Sequence, residues 1–422
     1  MLLSEMFEGA PEIEIQGLCI DSRKAKAGDL FFCLKGLEAD GHQFAEKACK
    51  AGAAAVVHCD ELKQCQGVFY IKVDNVNEEL NRICDLFNGH PSQKMTVFGV
   101  TGTNGKTTTT SIISDVYNKP CGYMGTIAVR YGSVNKIPNL TTPDALEIHE
   151  NLKEMTDYGM AGVAMEVSSH GLAMGRVDAV DFDVAIFTNL TYDHLDYHKT
   201  FAEYIRAKKL FFDNLPKEAF ALINIDDRNG RVMVQNTRAT VKTLSLQSMA
   251  DFRCKILETH PDGMELRIDG REVWVHFLGR FNAYNLLCVY AAALLLGADR
   301  EEVLQIMSTL HPVSGRFEFV RAADGTTAIV DYAHTPDALE KVLQTVEEIR
   351  RPGQQLFVLC GCGGDRDKAK RPEMAQIAVK YATTAILTSD NPRHEDPDAI
   401  LDDMVAGLAP GDRYLRIADR AE

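Results

Sequence analysis

Gly99-Val-Thr-Gly-Thr-Asn-Gly-Lys-Thr-Thr108 is the stretch on which the reading of this chain turns. It continues an apolar, strand-like run from Met95 and leads into a threonine-rich helix start. Small residues between a strand and a helix let backbone N–H groups wrap phosphate oxygens, and the positive end of the helix points at them. Lys106 supplies a cation for terminal phosphates, and Thr107 a hydroxyl of the kind that ligates Mg2+. The strict phosphate-loop pattern places a glycine where this chain has Val100; Gly99 comes one residue early, so the turn is a variant. A glycine-rich turn that binds nothing is the plainer reading, and the strand before it and the helix after it count against that reading.

Outward from this loop, apolar strands are expected at 162–167, 184–188 and 219–225, with helical patterns such as 201–213 between them. That alternation predicts a parallel sheet covered by helices. Upstream, short strand-like runs at 29–34 and 53–57 end at a polar linker, 88–94. Downstream, the helix pattern 282–296 and a break at 311–316 precede renewed alternation. Strands are expected at 328–332, 356–360 and 384–388, with helices from Pro336, Arg371 and Pro397. The expected fold is α/β in three domains: a small α/β domain over 1–90, a central phosphate-loop parallel-sheet domain over 91–311, and a Rossmann-like domain over 312–422.

Bulk composition narrows the function. A net charge of −15, from 45 basic and 60 acidic side chains in 422 residues, argues against a general nucleic-acid or anionic-membrane binder. Small anionic substrates are not excluded, because they need only locally placed cations and backbone amides. The 11 cysteines show no paired metal-type spacing, and Cys360 and Cys362 abut a glycine cluster like a strand end, so buried thiols in a reducing compartment are expected. The first residues lack a signal-peptide pattern, and the longest apolar stretch, 286–296, is too short to span a bilayer, so a cytoplasmic protein is expected.

Further motifs recur along the chain: Asp21-Ser-Arg23, Thr141-Thr-Pro143, Met165-Glu-Val-Ser-Ser-His-Gly171, and Thr188-Asn-Leu-Thr-Tyr-Asp-His-Leu-Asp-Tyr-His198. Ala207-Lys208, Gly279-Arg-Phe-Asn-Ala-Tyr-Asn285, Ser314-Gly-Arg316, Asp331-Tyr-Ala-His334, Cys362-Gly-Gly-Asp-Arg-Asp367 and Asp390-Asn-Pro-Arg393 follow. Together, and in this order, they resemble the Mur ligase family, whose wider group includes folylpolyglutamate and cyanophycin synthetases. The similarity runs nearly end to end, and the Asp390–Arg393 motif resembles the branch that adds meso-diaminopimelate.

The resemblance implies an ATP-dependent amide ligase, with Mg2+, that joins meso-diaminopimelate to UDP-MurNAc-L-Ala-D-Glu through an acyl phosphate. It implies that residues 1–90 bind the UDP-sugar. For ATP it implies Gly102, Thr103, Asn104, Gly105, Lys106, Thr107 and Thr108, with Asn285, Arg316 and Asp331 at adenine, phosphate and ribose. The metal ligands it implies are Thr107, Glu166, His194 and Lys208, the last as a carbamate, and Lys106, Glu166, His194 and Lys208 form its catalytic set. Ser22, Thr141, Thr142, Ser168 and Arg176 match contacts to the UDP-sugar peptide. Arg366, Asp390, Asn391, Pro392 and Arg393 match the amino-acid site.

Arg393 suits a substrate with a distal carboxylate and repels one ending in ammonium. Met174 departs from the polar residue relatives often carry. The chain ends where the family continues by a further strand-helix unit or two, so an incomplete third domain is expected. A lysine-adding ligase and a non-catalytic form that binds ATP and the UDP-peptide are the alternatives. A phosphate-loop kinase or GTPase leaves the later motifs unexplained. Neither a nucleic-acid nor a membrane partner is expected, and the chain is expected to act as a monomer.

Overall fold

The computed structural model describes residues 1–36, 39–193 and 195–422, with the side chains of Leu195 and Asp196 left aside. The chain divides into two compact units: Met1–Gly99 with Lys119–Asp183, and Val100–Asn118 with Val184–Glu422.

In the first unit, strands Gly17–Cys19, Asp29–Phe32, Ala55–His58 and Phe69–Lys72 pair in parallel in that order. Successive side chains leave a strand on opposite faces. Leu30 and Phe32 enter an apolar cluster with Val57, Leu80 and Ile83, while Phe31 and Cys33 enter a second one with Val56 and Ala48. A parallel sheet covered on both faces needs apolar residues at every position, which is why these strands read as runs without alternation. Helix Val76–Phe87 starts at Asn75, whose side-chain oxygen accepts the amides of Asn77 and Glu78. Strand Gly162–Glu166 pairs in parallel with Cys121–Met124, which continues antiparallel into Val129–Tyr131 and Val134–Lys136.

In the second unit, strands Val184–Phe187, Phe220–Asn224 and Thr240–Ser245 pair in parallel. Helix Arg280–Leu295 is apolar nearly all round because it is buried from Asn282 to Ala293 with Tyr284 the exception, packed on helix Lys106–Val116. Helices Pro336–Ile349, Lys370–Tyr381 and Pro397–Val405 accompany a parallel sheet of Phe357–Cys360, Thr384–Leu387 and Tyr414–Arg416.

Two features differ from the sequence-based expectation. Strands Phe252–His260, Gly263–Ile268 and Arg271–Val275 form an antiparallel meander that was not anticipated. Its strands are half polar, with Cys254, Met264, Leu266, Ile268, Val273 and Val275 buried among charged neighbours, and carry no continuous apolar run to announce them. Strand Thr327–Val330, expected to open the parallel C-terminal sheet, instead pairs antiparallel with Glu318–Arg321. The turn at Asp324-Gly325 permits the hairpin, since Gly325 has φ +88° and Asp324 accepts the Thr326 amide. All 11 cysteines are free thiols. Among the described residues no helix is long and apolar enough to cross a membrane.

His149, on helix Ala145–Asp157, is fully buried, with Nδ1 3.8 Å from Asp85 Oδ1. Burial pushes its pKa down to about 4, so the folded chain keeps the ring neutral. The unfolded chain, titrating at the ordinary value of about 6.5, binds more protons between those two values. The stability this provides is complete above about pH 6.5 and is lost as pH falls toward 4, by on the order of 3 kcal/mol. His149→Gln is therefore expected to flatten the acid limb of stability, read from denaturant melts at successive pH values. An acid limb identical to that of the native chain refutes the assignment.

Candidate functional site

Strand Thr96–Thr101 delivers the chain to the phosphate loop, and helix Lys106–Val116 leaves it. The loop is clasped by the end of the neighbouring strand. Asn104 O accepts Thr188 Oγ1 at 2.7 Å and Asn189 Nδ2 at 3.0 Å, Asn104 N–H donates to Asn189 Oδ1 at 3.0 Å, and Thr103 N–H to Asn189 O at 2.8 Å. The glycines are required by this closeness. A Cβ on Gly102 would stand 1.9 Å from Thr188 Oγ1, and one on Gly105, at φ +86°, 2.3 Å from Asn285 Oδ1.

Three basic side chains surround the loop. Lys106 Nζ donates to Gly102 O at 3.0 Å and Thr103 O at 2.9 Å. Arg316 Nη2 donates to Thr107 Oγ1 at 2.9 Å. Lys208, 1% exposed on helix Phe201–Asp213, donates to Gly102 O at 2.9 Å and lies over the Tyr204 ring. Burial, reinforced by the charge of Lys106, holds its amine well below the usual lysine range against the pull of Asp193. Asn285 is buried and takes a bond from Thr109 Oγ1 at 3.4 Å, while Asp331 accepts the amides of Phe317 and Ala333 at 2.8 and 2.7 Å. Burial raises the Asp331 carboxyl against the lowering effect of those amides.

The first unit carries its own polar cluster. Glu166 ends strand Gly162–Glu166 and is 1% exposed. Its Oε1 accepts Tyr123 Oη and the Thr126 amide, both at 2.8 Å, and its Oε2 accepts Thr126 Oγ1 at 3.1 Å. Thr126 Oγ1 also meets Thr141 Oγ1 at 3.1 Å. Thr142 Oγ1 donates to Glu166 O and accepts the Ser168 amide, each at 2.9 Å, and Arg176 Nη1 donates to Thr142 O at 2.8 Å. Ser168 caps the short helix Ser169–Ala173 through the Gly171 amide. Ser22 is buried in the N-terminal sheet's loops, beside the Asp21–Arg23 ion pair that holds the Asp21 carboxyl down to about 2.

Within the second unit, Arg366 lies on the loop after strand Phe357–Cys360, and Asp390, Asn391, Pro392 and Arg393 on the loop after Thr384–Leu387. Arg393 Nη1 donates to Gly364 O at 2.6 Å and the Gly364 amide to Asn391 O at 2.9 Å, so the two loops are joined. His194 lies outside the described residues. The structure thus gathers the phosphate loop with Lys208, Asn285 and Arg316, gathers Thr141, Thr142, Glu166, Ser168 and Arg176, and gathers the loops of Arg366 and Arg393. Sequence reasoning missed Asn189, Tyr123 and Thr126 as contributors. Asn189 lay inside a quoted motif, while Tyr123 and Thr126 sit in a stretch with no pattern to mark them.

A phosphate-loop α/β chain with a second loop pair at the ends of parallel C-terminal strands defines a nucleotide-dependent enzyme. Family models match it in three segments: residues 14–87 the Mur ligase family, catalytic domain, 100–293 the Mur ligase middle domain, and 315–422 the Mur ligase, glutamate ligase domain. A relative from Phocaeicola vulgatus is 48% identical over 417 residues, covering 97% of this chain and 86% of the relative. One from Bacillus cereus is 43% identical over 422 residues, covering 97% and 85%. Both are named UDP-N-acetylmuramoyl-L-alanyl-D-glutamate–2,6-diaminopimelate ligase. A solved structure of a ligase so named superposes with a TM-score of 0.73 at 32% identity, covering 100% of this chain and 89% of that one. A Thermotoga maritima MurF ligase in complex with ADP shares the fold, with a TM-score of 0.64 at 19% identity, covering 98% and 96%. The chain belongs to the Mur ligase family.

Gly105→Ala is expected to weaken ATP binding by at least about tenfold, ~1.4 kcal/mol, because the methyl displaces Asn285 and strains the turn. Calorimetric titration with ATP checks this. Native-like affinity would mean the turn tolerates a side chain.

Proposed function

We infer that this chain is an ATP-dependent ligase that adds meso-diaminopimelate to UDP-MurNAc-L-Ala-D-Glu during peptidoglycan synthesis, and so serves cell-wall growth, cell shape and division. The observation that carries the reading is the 48% identity, over 97% of the chain, to a relative named for that reaction. The Asp390–Arg393 loop, with its exposed guanidinium, agrees with it.

A carboxylate and an amine do not condense unaided at neutral pH. In this reading the D-Glu carboxylate attacks the γ-phosphorus of ATP, ADP leaves, and an acyl phosphate forms. The amine of diaminopimelate then adds to the acyl carbon and loses a proton. The tetrahedral intermediate collapses by breaking the bond to phosphate, which leaves. The loop from Gly102 to Thr108, through those backbone amides that Asn189 does not already engage, and the ammonium of Lys106 receive the phosphates, with Arg316 beside them and Asn285 and Asp331 at the adenine and ribose. Ser22, Thr141, Thr142, Ser168 and Arg176 hold the UDP-sugar peptide. Arg393, with Arg366, Asp390, Asn391 and Pro392 around it, grips the distal carboxylate of diaminopimelate through two parallel hydrogen bonds and repels the ammonium of lysine.

The donor set fits Mg2+. Glu166 has one oxygen saturated by two donors and the other holding a single hydroxyl, which keeps lone pairs for a hard cation, and Thr107 offers a hydroxyl. In this reading His194 and Lys208 are the remaining ligands. When bound, Mg2+ would neutralise phosphate oxygens and the charge that develops on them. Lys208, a buried amine held well below the usual lysine range, is suited to add CO2 and lose a proton, and the carbamate so formed is an anion that orders the site. The substrates and ATP are cytoplasmic metabolites, so the cytoplasm is the compartment, and the chain acts as a monomer.

Phosphate release should follow addition of ATP, Mg2+ and UDP-MurNAc-dipeptide with meso-diaminopimelate and not with lysine. Release with lysine alone would overturn the role of Arg393. Binding of ATP and the UDP-dipeptide without release would identify a non-catalytic form. Lys208→Ala is expected to lower kcat by at least roughly a hundredfold with ATP affinity retained, and a small carboxylate such as acetate to restore part of it. Unaltered turnover in that variant would refute the carbamate.

A further inference from the structure

Arg371 opens helix Lys370–Tyr381 and is completely buried, an unusual state for an arginine. Its guanidinium is matched by two carboxylates. Nη1 donates to Glu395 Oε2 at 3.0 Å and to Asp403 Oδ2 at 2.7 Å, and Nη2 to Glu395 Oε1 at 2.8 Å. The pairing with Glu395 is the two-pronged arrangement that fixes orientation as well as distance. The carboxylates are less enclosed, with the Glu395 side chain 17% and the Asp403 side chain 45% exposed, so the pairs join a buried guanidinium to groups at the surface.

Glu395 reaches from this root into the amino-acid site. Its Oε1 also accepts the Asp365 amide at 2.6 Å, and Lys368 Nζ lies 3.1 Å from its Oε2. Asp365 Oδ2 meets His394 Nδ1 at 2.8 Å. The Gly364 amide bonds Asn391 O, and Gly364 O takes the Arg393 guanidinium. One of the ties between loop 363–367 and loop 390–395, the Asp365 amide bond, ends on the Glu395 carboxylate, which Arg371 holds by two hydrogen bonds.

We propose that Arg371 is a positioning residue for the amino-acid pocket: by holding Glu395 it docks loop 363–367 on loop 390–395 and so aims Arg393 at the distal carboxylate of the incoming amino acid. This rests on the reading of Arg393 as that carboxylate's contact. Arg371 touches no substrate itself. Its chemistry requires the guanidinium fork, because a lysine ammonium carries its three donors on one nitrogen and lacks the planar, two-pronged match to the Glu395 carboxylate with a further donor to Asp403.

The test compares the full chain with Arg371→Lys and Glu395→Gln by steady-state phosphate release and by amide hydrogen exchange. Both variants are expected to raise KM for meso-diaminopimelate by roughly tenfold or more and to erode its preference over lysine, with KM for ATP and for the UDP-dipeptide within about twofold. Exchange should accelerate at Gly364 and Asp365, with helix Pro336–Ile349 still protected. An unchanged KM for diaminopimelate, or a fall in kcat with equal rises in all three KM values, overturns the proposal. Should Arg371→Lys not fold, Glu395→Gln carries the same test, since it leaves Arg371 its bond to Asp403. If the native chain does not use diaminopimelate, the substrate reading fails, and the exchange data still decide whether Arg371 holds the loops. Native-like exchange in both variants sinks it whatever the substrate.

Discussion

The main-chain carbonyl of Asn104 is held by two side chains, Thr188 Oγ1 and Asn189 Nδ2, and the shape of the nucleotide region depends on that hold. At positions 102 and 105 glycine has more unfolded freedom to lose than any other residue would. The clasp offsets that cost with bonds that are short and mostly shielded from water. It also reaches further: Thr103 Oγ1 accepts the Thr191 amide and meets Tyr204 Oη, so the loop and helix Phe201–Asp213 are fixed by the same residues. Lys208 stands on that helix, one turn from Tyr204, and its placement against Gly102 O follows. Backbone donors fixed before a ligand arrives need no reorganisation when charge develops on it.

The charge of the chain and the charge of the site have opposite signs. Against a net −15, Lys106, Lys208 and Arg316 converge on one loop. Lys208 and Arg316 donate there to neutral oxygens, those of Gly102 and Thr107, so an arriving phosphate competes with weak acceptors. Burial separates the two lysines chemically. Lys106 stands at the helix start and partly open, whereas Lys208 is enclosed beside a second cation, which drives its amine toward the neutral form. Two lysines within 3.0 Å of the same carbonyl thus sit in different surroundings, one partly open and one enclosed.

What could be read in the sequence followed from how each element is covered. Asp29–Phe32 and Ala55–His58 are buried on both faces and therefore appear as apolar runs, as does helix Arg280–Leu295. The meander from Phe252 to Val275 has one wet face, and its charges hid it. Strand Thr327–Val330 was visible as a strand, but which strand it joins is decided by the hairpin turn at Gly325 and not by its own residues. In the candidate site, Lys106, Glu166 and Arg393 were singled out because motifs carry them. Tyr123 and Thr126 could not, because their contribution is a donor aimed at Glu166, and donor direction leaves no trace in residue order.

The C-terminal loops place exposed recognition on a buried scaffold. Asp365 and Arg393 both adopt left-handed backbone conformations, at φ +53° and +49°, which cost a non-glycine residue on the order of 1 kcal/mol each. Neither conformation persists without surrounding bonds that over-determine it. At Asp365 those are the amide bond to Glu395 and the carboxylate contact to His394; at Arg393 they are the amide bond to Asn391 Oδ1 and the guanidinium bond to Gly364 O. These bonds fix the direction of the Arg393 side chain as well as its backbone. The strain in two exposed loops and the ion pairs beneath them are consequently parts of one arrangement. The buried guanidinium of Arg371 fixes Glu395, Glu395 fixes the turn at Asp365, and that turn presents the carbonyl against which the exposed guanidinium of Arg393 is set.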